Sequence, residues 1–196
     1  MNIAVLVSGG GTNLQALMDA QSRGEFGPGK IRLVISSRHD VYALERARQA
    51  GIETLTLRPR DFPNADAHDC AMRDALVSRD IGLIALAGYL SMIGPQVLGE
   101  YERRVLNVHP SLIPSFCGHG FYGLRVHEAA LEYGVKITGA SVHFVNEVYD
   151  AGEIIMQKAV DIMPGDTPEV LQQRVMREAE WDIFPRAVGM FCRGEI

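Results

Sequence analysis

Short apolar runs alternate with segments of helical periodicity along the first half of the chain. The candidate strands are residues 3–7, 31–35, 53–57, 81–86 and 105–108. Between them, apolar or small side chains recur at helical spacing at Leu14, Leu17 and Met18, at Leu44 and Ala47, and at Ala67, Ala71, Ala75 and Leu76. Such alternation is typical of βαβ units, in which helices cover both faces of a buried parallel sheet. The pattern therefore predicts an α/β fold with a Rossmann-like, mostly parallel sheet.

The second half of the chain has a different pattern. A glycine-rich and aromatic segment at 115–123 precedes a predicted helix at 126–132 and two strand-like stretches at 136–145 and 154–162. These two strands are expected to extend the sheet with antiparallel pairing. A last helix is predicted from Thr167, a favourable capping residue, with Pro168 at its first position. Its apolar residues are Leu171, Val175, Ala179, Ile183 and Ala187.

The composition of the chain indicates its class of protein and the kinds of ligand that it can bind. The 196 residues, 47% hydrophobic and 22% charged, suit one globular domain over residues 1–196. A net charge of −5 with scattered Lys and Arg excludes a broad basic face for nucleic acid, although not a local anion site. The first apolar run is too short for a signal or membrane segment, so a cytoplasmic location is expected. Cys70, Cys117 and Cys192 form no C-x-x-C pair, which favours free thiols over a disulfide framework.

A glycine-rich loop follows the first predicted strand and opens a helix. It reads SGGGTN at residues 8–13. Backbone N–H groups and the helix dipole can hold a phosphate at such a place. Leu14 replaces the third glycine of the dinucleotide fingerprint, and the Walker lysine is missing. The loop therefore predicts a site for a single phosphate; the alternative is a tight turn that needs glycine for its own geometry.

Two polar residues interrupt the apolar strand VLNVH at 105–109. Asn107 and His109 are two positions apart, so their side chains leave the same face at the strand's carboxyl end, where α/β proteins usually bind ligands. Asp150, in the polar loop 146–152, is the candidate partner. A carboxylate near an imidazole raises the pKa of the imidazole, so His109 is predicted to be a proton donor near neutral pH, with Asn107 donating to an oxyanion. These groups suit acyl-type transfer to an amine, although a structural histidine and a turn-forming aspartate remain alternatives.

A zinc site is the competing interpretation of several side chains in the second half. Cys117, His119, His127 and His143 lie within a short span, but their spacing matches no zinc finger. His143 is part of an alternating strand and is interpreted as a packing residue. No metal site is therefore expected, and the absence of a G-x-S-x-G motif disfavours a serine hydrolase.

Four segments together resemble the phosphoribosylglycinamide formyltransferase family. They are SGGGTNLQAL at 8–17, LAGYLSMIG at 86–94, LNVHPSLIPSF at 106–116 and GASVHFVNEVYDAGEIIMQKAV at 139–160. The resemblance implies the formyltransferase fold and transfer of a formyl group from the co-substrate 10-formyltetrahydrofolate to the amino group of glycinamide ribonucleotide in de novo purine biosynthesis. It implies small-molecule partners, no metal, no nucleic acid or membrane, and a monomer or homodimer.

The resemblance also implies a role for each matching residue. Residues 1–101 would form the half that binds the ribotide phosphate, and residues 102–196 the catalytic and folate-binding half. The implied catalytic residues are Asn107, His109 and Asp150. The implied ribotide contacts are Gly11, Thr12, Asn13, Arg177 and Glu180. The implied folate contacts are Leu90, Ser91, Met92, Ile93, Asn107, Asn146, Glu147, Val148, Tyr149 and Asp150. A cis peptide bond is implied at Ile113-Pro114.

Two positions and one spacing depart from the family pattern. Ser91 and Ala65 stand where the family has arginines on the folate side. Arginine is the better carboxylate clamp, so the usual means of holding the glutamate tail of the donor is missing. The spacing from Arg174 to Pro185 is one residue longer than in the family. A 10-formyltetrahydrofolate hydrolase and a catalytically idle folate- or nucleotide-binding domain of the same fold are the alternatives.

Overall fold

The computed structural model describes residues 1–196, which form one seven-stranded sheet and seven α-helices. The strands are β1 Asn2–Val7, β2 Lys30–Ser36, β3 Glu53–Thr56, β4 Ile81–Leu86, β5 Val105–His109, β6 Ile137–Phe144 and β7 Ile154–Asp161. The helices are α1 Thr12–Ser22, α2 Tyr42–Gln49, α3 Ala65–Val77, α4 Pro95–Glu100, α5 Leu124–Tyr133, α6 Pro168–Val175 and α7 Trp181–Cys192. A 3₁₀ turn covers Pro59–Asp61, and a π-helical turn covers Met176–Glu180.

The strand order is β3-β2-β1-β4-β5-β6-β7. Strands β1 to β5 pair in parallel, whereas β5 pairs antiparallel with β6, and β6 with β7. The predicted mostly parallel sheet with an antiparallel extension in the C-terminal half is therefore confirmed. The parallel strands carry their carboxyl ends to one edge of the sheet, which is the edge that ligands usually occupy.

Each face of the sheet packs against helices. Along β1, Ile3, Val5 and Val7 belong to the larger buried cluster, which includes side chains of α1, α2 and α7. The intervening Ala4 and Leu6 belong to a smaller cluster with α3 and α4. Side chains of a strand alternate between faces, so a central strand covered on both sides must be apolar at every position. This requirement explains the continuous apolar runs of the first half.

Helix α4 was not predicted from the sequence. It has six residues and only Val97 is buried, so it is too short to show helical periodicity. Asp69 of α3 fixes its start, because its carboxylate accepts hydrogen bonds from the backbone N–H groups of Gly94 at 2.9 Å and Gln96 at 2.7 Å. A distant side chain caps this helix, and such a cap leaves no local sequence signal.

The predicted last helix is divided by the π-helical turn. Thr167 caps α6 and Pro168 is its first residue, as predicted. The backbone N–H of Trp181 then reaches the carbonyl of Met176, five residues back, before α7 begins. A π turn accommodates one residue more than an α-helical turn, which matches the extra residue between Arg174 and Pro185. Glu180 ends this turn and lines the cleft described below.

The peptide bond Ile113-Pro114, shortly after β5, is cis, which confirms that expectation. None of the helices has both the length and the apolar character that crossing a membrane requires.

Candidate active site

An open cleft of about 830 Å³ lies at the edge of the sheet where the parallel strands end. Its walls are residues 8–13 after β1, 86–93 after β4 and 107–110 at the end of β5. The segments 118–123 and 145–150 cover it, and the π-helical turn closes one side. All of the implied catalytic and folate-binding residues line this cleft, as do Gly11, Thr12, Asn13 and Glu180. Only Arg177 of the implied site residues does not.

The loop after β6 brings Asp150 to β5. Because β6 is antiparallel, this loop starts level with the beginning of β5, where the backbone N–H of Val145 donates to the carbonyl of Val105. The loop then folds back along the sheet edge, and Asp150 adopts a positive φ of 51°. One carboxylate oxygen lies 3.5 Å from Nδ1 of His109, and the other lies 3.6 Å from Nε2 of His143.

His109 is buried, and both of its ring nitrogens face protein groups. Nε2 donates to the carbonyl of Phe116 at 2.9 Å, which leaves Nδ1 as the position that gains a proton beside Asp150. Burial lowers the pKa of His109 below its ordinary value, and the nearby Asp150 carboxylate does not offset it. The predicted raised pKa is therefore wrong, because removal of the imidazolium from water outweighs its attraction to the carboxylate. His109 is neutral at neutral pH.

Asp150 keeps its negative charge in this partly buried position. Burial opposes ionisation, but His143, His109 and a hydrogen bond from the backbone N–H of Gly118 at 2.8 Å together lower the pKa of Asp150. The site therefore combines a neutral imidazole with an ionised carboxylate near neutral pH. A carboxylate in this state can accept a proton.

His143 lines the cleft, so it is more than the packing residue that its strand pattern predicts. It lies directly opposite Asn107 in the β5–β6 ladder. Nδ1 of His143 donates to the carbonyl of Phe144 at 2.9 Å, so in the neutral ring Nε2 accepts from Nδ2 of Asn107 at 3.1 Å, whereas in the protonated ring Nε2 carries the N–H that faces Asp150. This contact fixes the amide orientation of Asn107 and leaves its second N–H for a ligand. The sequence could not show this role, because it depends on the strand register.

The glycine loop is both a tight turn that requires glycine and a place where a phosphate could bind. Gly11 has a φ of 75°, and a Cβ at this position would lie 2.7 Å from the Cβ of Ala43 in α2, so the turn requires glycine. No side chain caps α1, and residues 8–13 line the cleft. The uncapped N–H groups of a helix N-terminus attract anions. The turn geometry and a phosphate site are therefore compatible here.

Glu180 connects the π-helical turn to this loop. Its carboxylate accepts a hydrogen bond of 2.6 Å from Nδ2 of the buried Asn13. Burial raises the pKa of Glu180 to about 7, although the Asn13 hydrogen bond favours the charged form. Asn13 also has a buried side-chain oxygen without a partner. The pair presents a carboxylate that titrates near neutral pH to the cleft.

Arg177 lies on the exposed side of the π-helical turn, where its Nε donates to the carbonyl of Gln173 at 3.2 Å. The cleft wall at this level is Gln172 and Met176 instead. The wider turn changes which residues share a helix face, so Arg177 and Glu180 no longer point the same way. Met176 contacts the glycine loop, because its sulfur accepts from the Thr12 hydroxyl at 3.6 Å.

The segments implied to bind folate give the cleft an apolar rim. Leu90, Met92, Val148 and Tyr149 are 50%, 60%, 62% and 49% exposed. Exposed large apolar side chains at a cleft are typical of ligand sites. Ser91 lines the cleft between them, whereas Ala65, at the start of α3, does not. Neither side chain offers a positive charge to the carboxylates of a folate.

The residues considered for zinc do not converge. The ring of His119 packs edge-on against Tyr149 with centroids 6.0 Å apart, and His127 is buried in α5. No group of three or more His, Cys, Asp or Glu side chains is placed to share a metal ion. All three cysteines are free thiols.

The sequence and the fold match known formyltransferases. Phosphoribosylglycinamide formyltransferase of Haemophilus influenzae is 40% identical over 194 residues, which are 99% of this chain and 88% of that protein. The crystal structure of glycinamide ribonucleotide transformylase 1 from Symbiobacterium toebii superposes with a TM-score of 0.93 at 43% identity, covering 99% of this chain and 88% of that chain.

Some relatives are longer than this chain. It is 37% identical to the chloroplastic phosphoribosylglycinamide formyltransferase of Arabidopsis thaliana over 99% of its own length, and it spans 66% of that protein. It spans 14% of a trifunctional purine biosynthetic protein of Drosophila melanogaster. The sequence model of the formyl transferase family matches residues 1–188. The chain therefore belongs to the formyl transferase family.

Proposed function

We propose that the protein transfers a formyl group from 10-formyltetrahydrofolate to the amino group of glycinamide ribonucleotide, giving formylglycinamide ribonucleotide and tetrahydrofolate. The observation that carries this proposal is the convergence of Asn107, His109 and Asp150 in one cleft with a glycine loop suited to a phosphate. The names of the relatives support the same substrates.

The reaction forms a bond between the ribotide amine and the formyl carbon and breaks the bond from that carbon to N10 of the folate. Negative charge develops on the formyl oxygen in the tetrahedral intermediate. The second N–H of Asn107 and the Nε2–H of His109 are the donors that stabilise it. Asp150, which is ionised, accepts the proton that the attacking amine loses and supports its passage through water to N10.

His109 can donate to the formyl oxygen only after one local rearrangement. Its Nε2–H is bonded to the carbonyl of Phe116, so this carbonyl must give way before the proton reaches an oxyanion. Phe116 has a positive φ of 51°, a backbone state that non-glycine residues rarely adopt. The segment 115–123 is therefore the part of the cleft that we expect to move when substrates bind.

The substrates are proposed to occupy opposite ends of the cleft. Residues 11–13 and Glu180 would hold the ribotide, whereas residues 90–93 and 146–150 would hold the folate. In this arrangement residues 1–101 bind the ribotide phosphate, and residues 102–196 supply catalysis and the folate site. Two parts of the cleft are exceptions: Glu180 of the second half contacts the ribotide, and the 90–93 segment of the first half contacts the folate. Arg177 would need to reorient to contact the ribotide. A cytoplasmic location, consistent with free thiols, and a monomer or homodimer complete the proposal.

The proposal is tested by measuring formyl transfer to glycinamide ribonucleotide with the purified protein. Tetrahydrofolate release without the ribotide measures hydrolysis in the same assay. We expect release to depend on the ribotide, and we expect His109→Ala to lower kcat by roughly 100-fold, the usual loss for an oxyanion donor. Release independent of the ribotide would indicate the hydrolase instead, and binding of both substrates without turnover would indicate an idle domain.

A further inference from the structure

A second cavity adjoins the candidate active site. It has a volume of about 600 Å³ and no hydrophobic lining residue. Its walls follow two neighbouring parallel strands, residues 37–40 after β2 and residues 58–60 after β3. We call these seven residues the basic cleft, because they include three arginines and one histidine against a single aspartate. The positive charge of these residues contrasts with the net charge of −5 of the whole chain.

Two of the three arginines have unused hydrogen-bond donors. Arg58 is fixed by Asp61, whose two carboxylate oxygens each accept from its guanidinium at 2.6 Å. The side chains of Arg38 and Arg60 form no hydrogen bond or ion pair with the rest of the chain. A guanidinium offers five N–H donors in a planar arrangement that matches a carboxylate. The basic cleft therefore has free capacity for anionic groups.

The basic cleft adjoins the candidate active site near the segment proposed to bind folate. Arg38 lines both cavities. In addition, the backbone N–H of Leu90 donates to the hydroxyl of Ser8 at 2.9 Å, and that hydroxyl is 2.6 Å from the hydroxyl of Ser37. Two hydrogen bonds thus connect the folate segment with the wall of the basic cleft. A ligand that lies on Leu90 would therefore have Arg38, which lines both cavities, as a neighbouring cation.

The chemistry of the proposed donor suggests what this extension is, so the inference rests on the proposed function. Folates end in glutamate, and each further γ-linked glutamate adds one carboxylate. Ser91 and Ala65 offer these carboxylates no cation. We infer that the basic cleft binds the carboxylates of the donor's glutamate tail, with Arg38 at its entrance and Arg60 farther from the reaction centre.

The inference is tested with 10-formyltetrahydrofolate carrying one or three glutamates. Exposed ion pairs are weak individually, so we expect the KM of the wild-type protein to be roughly five- to tenfold lower for the triglutamate at low ionic strength. The ratio of the two KM values should fall to about one in Arg60→Ala and should decrease in 0.5 M salt, about three times the physiological ionic strength. Arg60→Glu should reverse the preference, because it places a negative charge beside the carboxylates.

Arg32→Ala is the matched control. Arg32 is an exposed arginine on β2, at the opposite end of the strand from residues 37–40. Its removal changes the net charge equally and should leave the KM ratio as in the wild type. Equal KM values for both donors in the wild-type protein, or an unchanged ratio in Arg60→Ala, would overturn the inference. So would a rise in the KM of the ribotide alone, which would assign the basic cleft to a phosphate.

Calorimetric binding of tetrahydrofolate with one or three glutamates separates this inference from the proposed function, because it requires no turnover. Tighter binding of the triglutamate that depends on Arg60, in a protein without transferase activity, would support the tail site and contradict the proposed function. An active transferase that binds both forms equally would support the proposed function and contradict the tail site.

Discussion

At the scale of single residues, the cleft depends on polar groups that orient one another. His143 accepts a hydrogen bond from Asn107 and lies beside Asp150, so it contacts two of the three implied catalytic residues. It is 2% exposed, and its Nδ1 is already used by the carbonyl of Phe144. His143 is therefore a positioning residue, whose effect on a reaction passes through Asn107 and Asp150.

Replacement of His143 by Ala tests this role. The amide of Asn107 loses its fixed orientation, and Asp150 loses a group that favours its charge, so we expect kcat to fall by about 10- to 100-fold. Steady-state kinetics over a range of pH should show the acidic limb of the kcat profile moving to higher pH, because the pKa of Asp150 rises. Thr138→Val, in the same strand, removes a buried hydroxyl without a partner and should leave kcat unchanged. An unshifted pH profile in His143→Ala would contradict the positioning role.

Glu180 makes the stability of the protein depend on pH. Its pKa is about 7 in the folded state against an ordinary 4.5, so the folded chain holds a proton that the unfolded chain releases between these values. The folded state therefore loses stability as the pH rises from about 4.5 to about 7, by roughly 3 kcal/mol in total. Glu180→Gln should remove this dependence, as measured by urea unfolding at several pH values.

The control for this experiment is Glu178→Gln, which changes an exposed glutamate in the same π-helical turn. It should preserve the decline in unfolding free energy between pH 4.5 and 7. If Glu180→Gln retains the decline as well, another buried group is responsible for it.

At the scale of elements, the glycine loop is held against helix α2. The carbonyl of Gly10 accepts a hydrogen bond from Nε of Arg46, and the carbonyl of Gly9 accepts one from the backbone N–H of Ala43. Gly11 then packs directly against α2. The loop thus has a fixed shape before any ligand arrives, which reduces the entropy lost on binding.

Gly11→Ala should be destabilising, because the added Cβ meets both an unfavourable φ and the side chain of Ala43. We expect the free energy of unfolding to fall by about 2 kcal/mol or more and the KM for the ribotide to rise. Gly9→Ala is the control for stability, since a Cβ there has no heavy atom within 4 Å. Denaturant unfolding of both variants checks the prediction. Equal stability of the two variants would show that α2 can move away from the loop.

At the scale of the whole molecule, the sheet and its helices could be predicted largely from periodicity. Continuous apolar runs marked the central strands β1 and β4 because both faces of the sheet are covered there, and the glycine loop and Asn107 with His109 followed from their positions at strand ends. The predictions failed where distant parts of the chain decide the outcome. The cap that Asp69 supplies to α4, the burial that lowers the pKa of His109 and the pairing of His143 with Asn107 are all tertiary effects.

The antiparallel pairing of β5 with β6 has a consequence for how the fold is specified. Every residue of β6 after Ile137 is buried, so hydrophobic alternation does not distinguish one register from its neighbours. Polar contacts supply the distinction instead: Asn107 meets His143, and the hydroxyl of Ser141 bonds to the carbonyl of Ser111 and the N–H of Ile113. A slip by one residue would leave these groups buried without partners, which is costly. Asn107 and His143, which line the cleft, therefore also help to fix the pairing of β5 with β6, so a substitution at either position would affect both the site and the strand register.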